Sequence, residues 1–183
     1  MDKAEFLIAG GGIAGLAAAI AVAPRDTILL EQASEWTNAG AGLQLGPNAV
    51  RALQKLGAWD AVEPITSSPP EIHIHDGVSG KCLTRWQLGA SFEKRFGAPY
   101  RVAHRADVHR ALLEVATTHA NLMIHVRQTV SGFTQTETAV SATTNRSMFQ
   151  AEKLLAADGV KSPIRQKLFA KSEPRSTDRK SVV

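Results

Sequence analysis

Cysteine is almost absent from this chain: Cys82 is the only one in 183 residues. A single thiol excludes an internal disulfide framework and fits a reducing, cytoplasmic setting. The plain reading of Cys82 is a small, partly buried side chain in a strand. No run of lysine and arginine gathers the formal net charge of +4 into a patch, so nothing points to nucleic acid. Positive charge is also missing from the N-terminus, where Asp2 and Glu5 outweigh Lys3 ahead of the apolar residues 6–23. A secretory signal needs the opposite balance. Four glycines interrupt the same apolar stretch, which barely reaches spanning length, so membrane insertion is not expected. Internal repeats and low-complexity tracts are absent as well. What remains is a soluble globular composition, 44% hydrophobic, at a length that suits one domain or one domain plus a piece of another.

The information is concentrated in residues 6–31, FLIAGGGIAGLAAAIAVAPRDTILLE. They read as strand, glycine turn, helix, second strand and a terminal acid, an α/β pattern of the Rossmann type. Gly10, Gly12 and Gly15 fill the spacing GxGxxG directly after the apolar strand. Gly10 permits the tight turn. Gly12 lets backbone approach a pyrophosphate, and Gly15 lets the helix pack closely. Ile13 and Ala14 open the helix, whose first N–H groups and positive dipole end suit phosphate. Glu31, followed by Gln32, is placed to accept hydrogen bonds from both hydroxyls of an adenosine ribose. A 2′-phosphate would repel it, which favours FAD or NAD over NADP. One departure is the short helix-to-strand link, Val22 to Asp26, in which Pro24 rather than a glycine stops the helix.

Further along, residues 32–46 read as a glycine-rich loop including Gly40, Gly42 and Gly46, and Pro47-Asn48 opens a helix over 49–56 that Gly57 ends. Residues 59–70 read as a crossing segment. Glu71 to His75 alternates as a strand, with Asp76-Gly77 as the hairpin turn and 81–88 as the return. Residues 89–100 read as a polar connection, 106–120 as a helix, and 122–126, 138–142 and 154–157 as strands. His73 and His75 share one face of their strand. Without a third ligand nearby they are read as solvent-facing residues rather than a metal site.

Three further segments matter together with the glycine turn: GAGLQLGPNAVRALQKLG at 40–57, HRADVHRALL at 104–113 and AADGVKSPIR at 156–165. In this order they resemble the FAD-dependent aromatic hydroxylases, the single-component flavoprotein monooxygenases. The salicylate hydroxylase and 3-hydroxybenzoate 6-hydroxylase branch looks nearest, given RFGAPY at 95–100. The resemblance covers about residues 4 to 170. It implies a Rossmann-like βαβ FAD-binding fold with a central parallel sheet and a small antiparallel β insertion. Residues 1–169 would form the FAD-binding domain, with 65–100 the first piece of the substrate-binding region.

The resemblance also implies roles. The loop at 40–46, with Gly42 and Leu43, would line the flavin ring. Arg105 would pair with the FAD pyrophosphate, and Val130 with its neighbours would edge the adenine. Asp158 and Gly159 match the family's second signature, in which the aspartate serves the ribose and pyrophosphate region. Ser162 would cap the next helix. His104 and His109 are read as structural. FAD is the implied cofactor, NADH or NADPH the implied co-substrate, and a phenolic or benzoate-type acid the implied substrate.

Relatives of this kind are roughly twice as long. The polar stretch 170–183 therefore reads as a disordered tail on a truncated product, expected to bind FAD weakly and to lack turnover alone. Two other readings share the glycine turn: a non-catalytic nucleotide-binding remnant, and an NAD-dependent oxidoreductase.

Overall fold

A computed structural model describes residues 3–36 and 41–169. The readings of Gly40 and of the tail at 170–183 lie outside the described residues. The chain begins with β1 (Lys3–Ala9), α1 (Ile13–Val22), β2 (Thr27–Leu30), β3 (Gly42–Leu45), α2 (Pro47–Lys55) and α3 (Trp59–Val62). A 3₁₀ turn follows at Glu63–Ile65, then β4 (Thr66–Ser67), β5 (Glu71–His75), β6 (Cys82–Gln87), α4 (Ala90–Phe96) and β7 (Arg101–His104). Last come α5 (Arg105–Thr117), β8 (Leu122–His125), β9 (Val130–Gln135), β10 (Val140–Thr144), β11 (Met148–Ala156) and α6 (Pro163–Leu168). These elements divide into two compact units, one of Met1–Trp36 with His119–Val183 and one of Thr37–Thr118.

The first unit is built on a six-stranded sheet in the order β8-β2-β1-β11-β10-β9. β8, β2, β1 and β11 run parallel, while β10 and β9 return antiparallel. Every residue of β2 is buried, as expected for a parallel strand covered on both faces. α1 buries Gly15, Leu16, Ala19 and Ile20, a stripe at helical spacing, and stops at Val22, two residues before Pro24. The core joins Leu7, Ile28 and Phe149 of the parallel strands to Phe133 and Ala142 of the antiparallel ones, with Ile164 of α6. This is the α/β fold with a mostly parallel sheet that the sequence leads one to expect. Two strands extend beyond the sequence reading. β9 was not visible, and β11 runs nine residues where only its apolar end stood out. The polar residues Gln150, Glu152 and Lys153 masked the rest.

The second unit holds the small antiparallel sheets: β3-β7-β4, and the hairpin β5-β6. Its helices bury Val50 and Leu53 of α2, and Val108, Ala111, Leu112 and Ala116 of α5. β3 lies in the stretch read as loop, and α4 in the stretch read as a polar connection. α4 follows Gly89 at its N-cap and is closed by Gly97 in the left-handed conformation, φ +74°. All seven of its residues escape full burial, so it left no apolar stripe to read.

The hairpin strand falls at Glu71–His75 as read, but its turn is longer than Asp76-Gly77. The Asp76 N–H donates to the Lys81 carbonyl at 2.9 Å, and the left-handed residue is Gly80, φ +70°. The Asp76 carboxylate accepts from the Ser79 hydroxyl at 2.6 Å and from the N–H groups of Ser79 and Val78 at 2.7 and 3.2 Å. Those donors, the Ser79 hydroxyl first, hold the Asp76 carboxyl below the ordinary aspartate range. A lowered folded-state pKa stabilises above the unfolded value and ceases to as pH falls through the folded one. The amide resonances of Val78 and Ser79 are therefore expected to move in one acidic titration step centred below the usual aspartate value. Asp76→Asn should abolish that step; an unchanged step in the variant would assign it to another group.

Candidate cofactor site

Strand pairing assembles the site in the first unit. β1 lies between β2 and β11, with Ala9 opposite Leu30 on one side and Ala156 on the other. The Gly10 N–H donates to the Leu30 carbonyl at 2.7 Å, and Ala157 N–H to the Ala9 carbonyl at 2.8 Å. The carboxyl ends of three parallel strands thus place the glycine turn, Glu31 and Asp158 side by side, where open α/β sheets receive ligands.

The three glycines of the motif do different things. Gly10 sits at φ +102°, and a Cβ there would lie 2.3 Å from the Ala157 carbonyl oxygen. Gly15 carries the tightest contact, since its Cβ would fall 1.8 Å from the Gly10 carbonyl oxygen. That contact welds the first turn of α1 to the end of β1. Gly12 is the opposite case: it is extended, φ −72°, and nothing lies within 4 Å of its would-be Cβ. It caps α1 without a side chain, and no acid occupies the first turn. Open space in front of an uncapped helix start is what a diphosphate requires. Ile13 is half-buried at this first turn, and Ala14 is exposed.

Glu31 is held from two directions. Its Oε2 accepts from the Gly11 N–H at 2.7 Å and its Oε1 from the Ala33 N–H at 2.8 Å. Each oxygen keeps a second lone pair, so the carboxylate is oriented and still able to accept from a diol. Gln32, next to it, is exposed. Residues 127–128 brace the turn, with Arg127 N–H donating to the Ala33 carbonyl at 3.0 Å and Gln128 N–H to the Glu31 carbonyl at 2.8 Å. Arg127 is the one non-glycine residue with positive φ among the described residues, φ 59°. Val130 has its side chain in the core, which leaves its backbone for any contact with a ligand.

Asp158 sits next to Gly10: a Cβ on Gly10 would lie 3.1 Å from the Asp158 Cα. Its Oδ2 lies 3.4 Å from the Ile164 N–H of α6, and Ser162 Oγ accepts from the Arg165 N–H at 2.9 Å, the cap expected of it. Gly42, Leu43 and Arg105 belong to the second unit. There Gly42 pairs with His104 and Leu43 with Ala103, and the Arg105 N–H donates to the Ala41 carbonyl at 3.1 Å. The loop and the arginine, distant in sequence, are therefore neighbours, and the Arg105 side chain is exposed.

The other candidates stay local. His73 Nε2 lies 2.6 Å from Glu71 Oε1, and His75 Nδ1 is 2.9 Å from the Gly80 carbonyl. That His73 contact lowers the Glu71 carboxyl from its ordinary value. The Cys82 thiol, half-buried in β6, donates to the Thr84 carbonyl at 3.5 Å. Among the described residues no three His, Cys, Asp or Glu side chains group as metal ligands, and no helix is long and apolar enough to cross a membrane.

A family model described as FAD binding domain matches residues 3–182. The chain belongs to that family. Its cofactor is FAD, and the residues present fit the adenosine-diphosphate end: open Gly12 for phosphate, oriented Glu31 for ribose. The 3-hydroxybenzoate 6-hydroxylase of Polaromonas naphthalenivorans (strain CJ2) is 39% identical over 163 residues, 87% of this chain and 41% of that protein. The enzyme of the same name from Klebsiella oxytoca is 36% identical over 174 residues, 93% of this chain and 44% of that one. Among solved structures, Klebsiella pneumoniae HpxO complexed with FAD and uric acid aligns with a TM-score of 0.79 at 25% identity, over 93% of this chain and 43% of its own. The resemblance to the aromatic hydroxylases thus holds, and the chain spans less than half the length of these relatives. The FAD family also sets aside the NAD-dependent dehydrogenase reading of the glycine turn.

Within the FAD binding domain, sequence reasoning passed over Trp36 and Arg127. Neither falls in a motif, and only the fold shows them beside the glycine turn and the acid.

Proposed function

We propose that these 183 residues hold the adenosine-diphosphate end of FAD in a flavin-dependent hydroxylase of phenolic or benzoate-type acids. The observation that carries this reading is the open, uncapped start of α1 at Gly12, flanked by the backbone-held Glu31 carboxylate and by Asp158. The hydroxybenzoate hydroxylases among the relatives support the substrate class. Bound FAD, reduced by NADH or NADPH, supplies the oxygen chemistry that hydroxylates an electron-rich ring. The chain's own contribution is binding and orientation. Gly10 and Gly15 fix the turn, the N–H groups at the α1 start take phosphate oxygens, and Glu31 takes the ribose diol. Arg105 adds a guanidinium to the pyrophosphate, and Gly42 and Leu43 line the ring. Residues 65–100 form the first piece of the substrate region, the remainder lying in the length that the relatives have and these residues do not span.

FAD and ADP titrations by calorimetry test the binding half of this reading. Arg105→Ala should raise both dissociation constants about tenfold, the loss of one charge-assisted hydrogen bond, and leave adenosine unaffected. Equal weakening of adenosine would remove Arg105 from the pyrophosphate. The catalytic half is tested by NADH and NADPH oxidation. A protein carrying the relatives' full length should be stimulated by 3-hydroxybenzoate, whereas the 183 residues alone should show weak FAD binding and no stimulated oxidation. Lack of stimulation by any hydroxybenzoate in the longer protein would overturn the substrate class.

A further inference from the structure

The turn at Gly11 is closed from two sides. A Cβ built on Gly11 would lie 2.7 Å from both Cη2 and Cζ3 of the Trp36 indole, and 3.0 Å from Glu31 Oε2. The indole edge and the carboxylate therefore converge on one point of the chain, and the Gly11 N–H donates to that same carboxylate oxygen at 2.7 Å. Trp36 itself is half-buried, five residues beyond Glu31 in a stretch without helix or strand. The nearer part of that stretch is tied down by Ala33, which donates to Glu31 Oε1 and accepts from Arg127. The ring thus packs against a peptide that has no side chain of its own to resist displacement.

We propose that Trp36 is the positioning residue for Glu31. By packing on Gly11 it fixes the peptide whose N–H aims the carboxylate, and so sets how well the site recognises a ribose diol. A flat, rigid ring suits this task, since it covers a large area with little rotamer entropy to lose. Without the ring the Gly11 peptide is free to turn, the carboxylate swings with it, and acceptance of two hydroxyls at once is lost. This role rests on the reading of Glu31 as the ribose carboxylate.

The test compares ADP with 2′-deoxy-ADP, which lacks one of the two hydroxyls, by calorimetry on the full 183-residue chain. The wild-type protein should favour ADP by about tenfold, the worth of one hydrogen bond to a charged group. Glu31→Gln should lose most of that preference. Trp36→Phe, which keeps a ring against Gly11, should retain it, and Trp36→Ala should fall to the Glu31→Gln level. Leu53→Ala, a core truncation in α2 of the second unit, serves as the control for lowered stability and should keep the wild-type ratio. A Trp36→Ala protein that is folded by circular dichroism and keeps the wild-type ratio overturns the role, as does one that binds ADP more tightly. Should Trp36→Ala not fold, Trp36→Leu replaces it, with the same two outcomes decisive. Failure of the wild-type chain to prefer ADP at all would instead refute the ribose reading of Glu31, and this role with it.

Discussion

Gly15→Ala is expected to unfold or severely destabilise the protein, whereas Gly12→Ala should fold normally and fail to bind cofactor. The added methyl at position 15 would have to occupy space 1.8 Å from a backbone oxygen, where no flexible side chain can yield. Relief demands that α1 lift away from β1, which costs about 3 kcal/mol or more, at the upper end of overpacking penalties. At Gly12 the same methyl meets nothing within 4 Å, and the backbone is one that any residue adopts. Stability there should change by less than about 0.5 kcal/mol, as for an unencumbered surface site. The methyl would instead stand where a phosphate must approach the helix start, so FAD and ADP affinity should collapse. Urea unfolding and calorimetry on the two variants separate the effects. Gly12→Ala binding ADP like the wild type would show that the open space in front of α1 is not the phosphate site.

Glu31→Ala carries the second large effect, and it acts on both stability and binding. Removing the carboxylate strips the Gly11 and Ala33 N–H groups of a partially buried acceptor. Unless water replaces it, each lost partner costs about 1–3 kcal/mol. A destabilisation of about 2 kcal/mol is expected, read as a lowered urea midpoint with unchanged slope. The ribose loses two charge-assisted hydrogen bonds together, which corresponds to about a hundredfold weaker ADP binding. Glu31→Asp should recover part of the binding only if the shorter carboxylate still reaches the Gly11 N–H. A Glu31→Ala variant with wild-type ADP affinity would place the ribose elsewhere.

The glycine turn and Glu31 also show how unevenly the sequence exposes the site. The turn at Gly10 and the position of Glu31 beside it follow from local spacing, because a strand, a turn and a helix within one βαβ unit leave few geometries. That Gly15 presses on the Gly10 carbonyl, rather than on the sheet face, is decided only by the folded turn. β5, α2 and α5 were legible because alternation, a proline start and an apolar stripe repeat within a few residues. α4 and β9 were not, since α4 has no buried residue and β9 is interrupted by Gly132 and polar side chains. β3 was hidden for another reason: its residues Gly42 to Leu45 become a strand only by pairing with β7. Polar, glycine-bearing segments of this kind take their conformation from partners remote in sequence.

By itself the sequence determined the family and the cofactor. The segments that carry them, the glycine turn with 40–57, 104–113 and 156–165, are each contiguous, so their spacing is legible without the fold. Tertiary structure alone decided the rest. The pairing of β1 with β11 carried Asp158 to Gly10, the β3–β7 register set Gly42 and Leu43 beside His104 and Ala103, and the fold laid Trp36 on Gly11. Such contacts join residues with no fixed separation along the chain. They arise when burial of the apolar strands fixes which backbones lie side by side, and no local spacing records that choice.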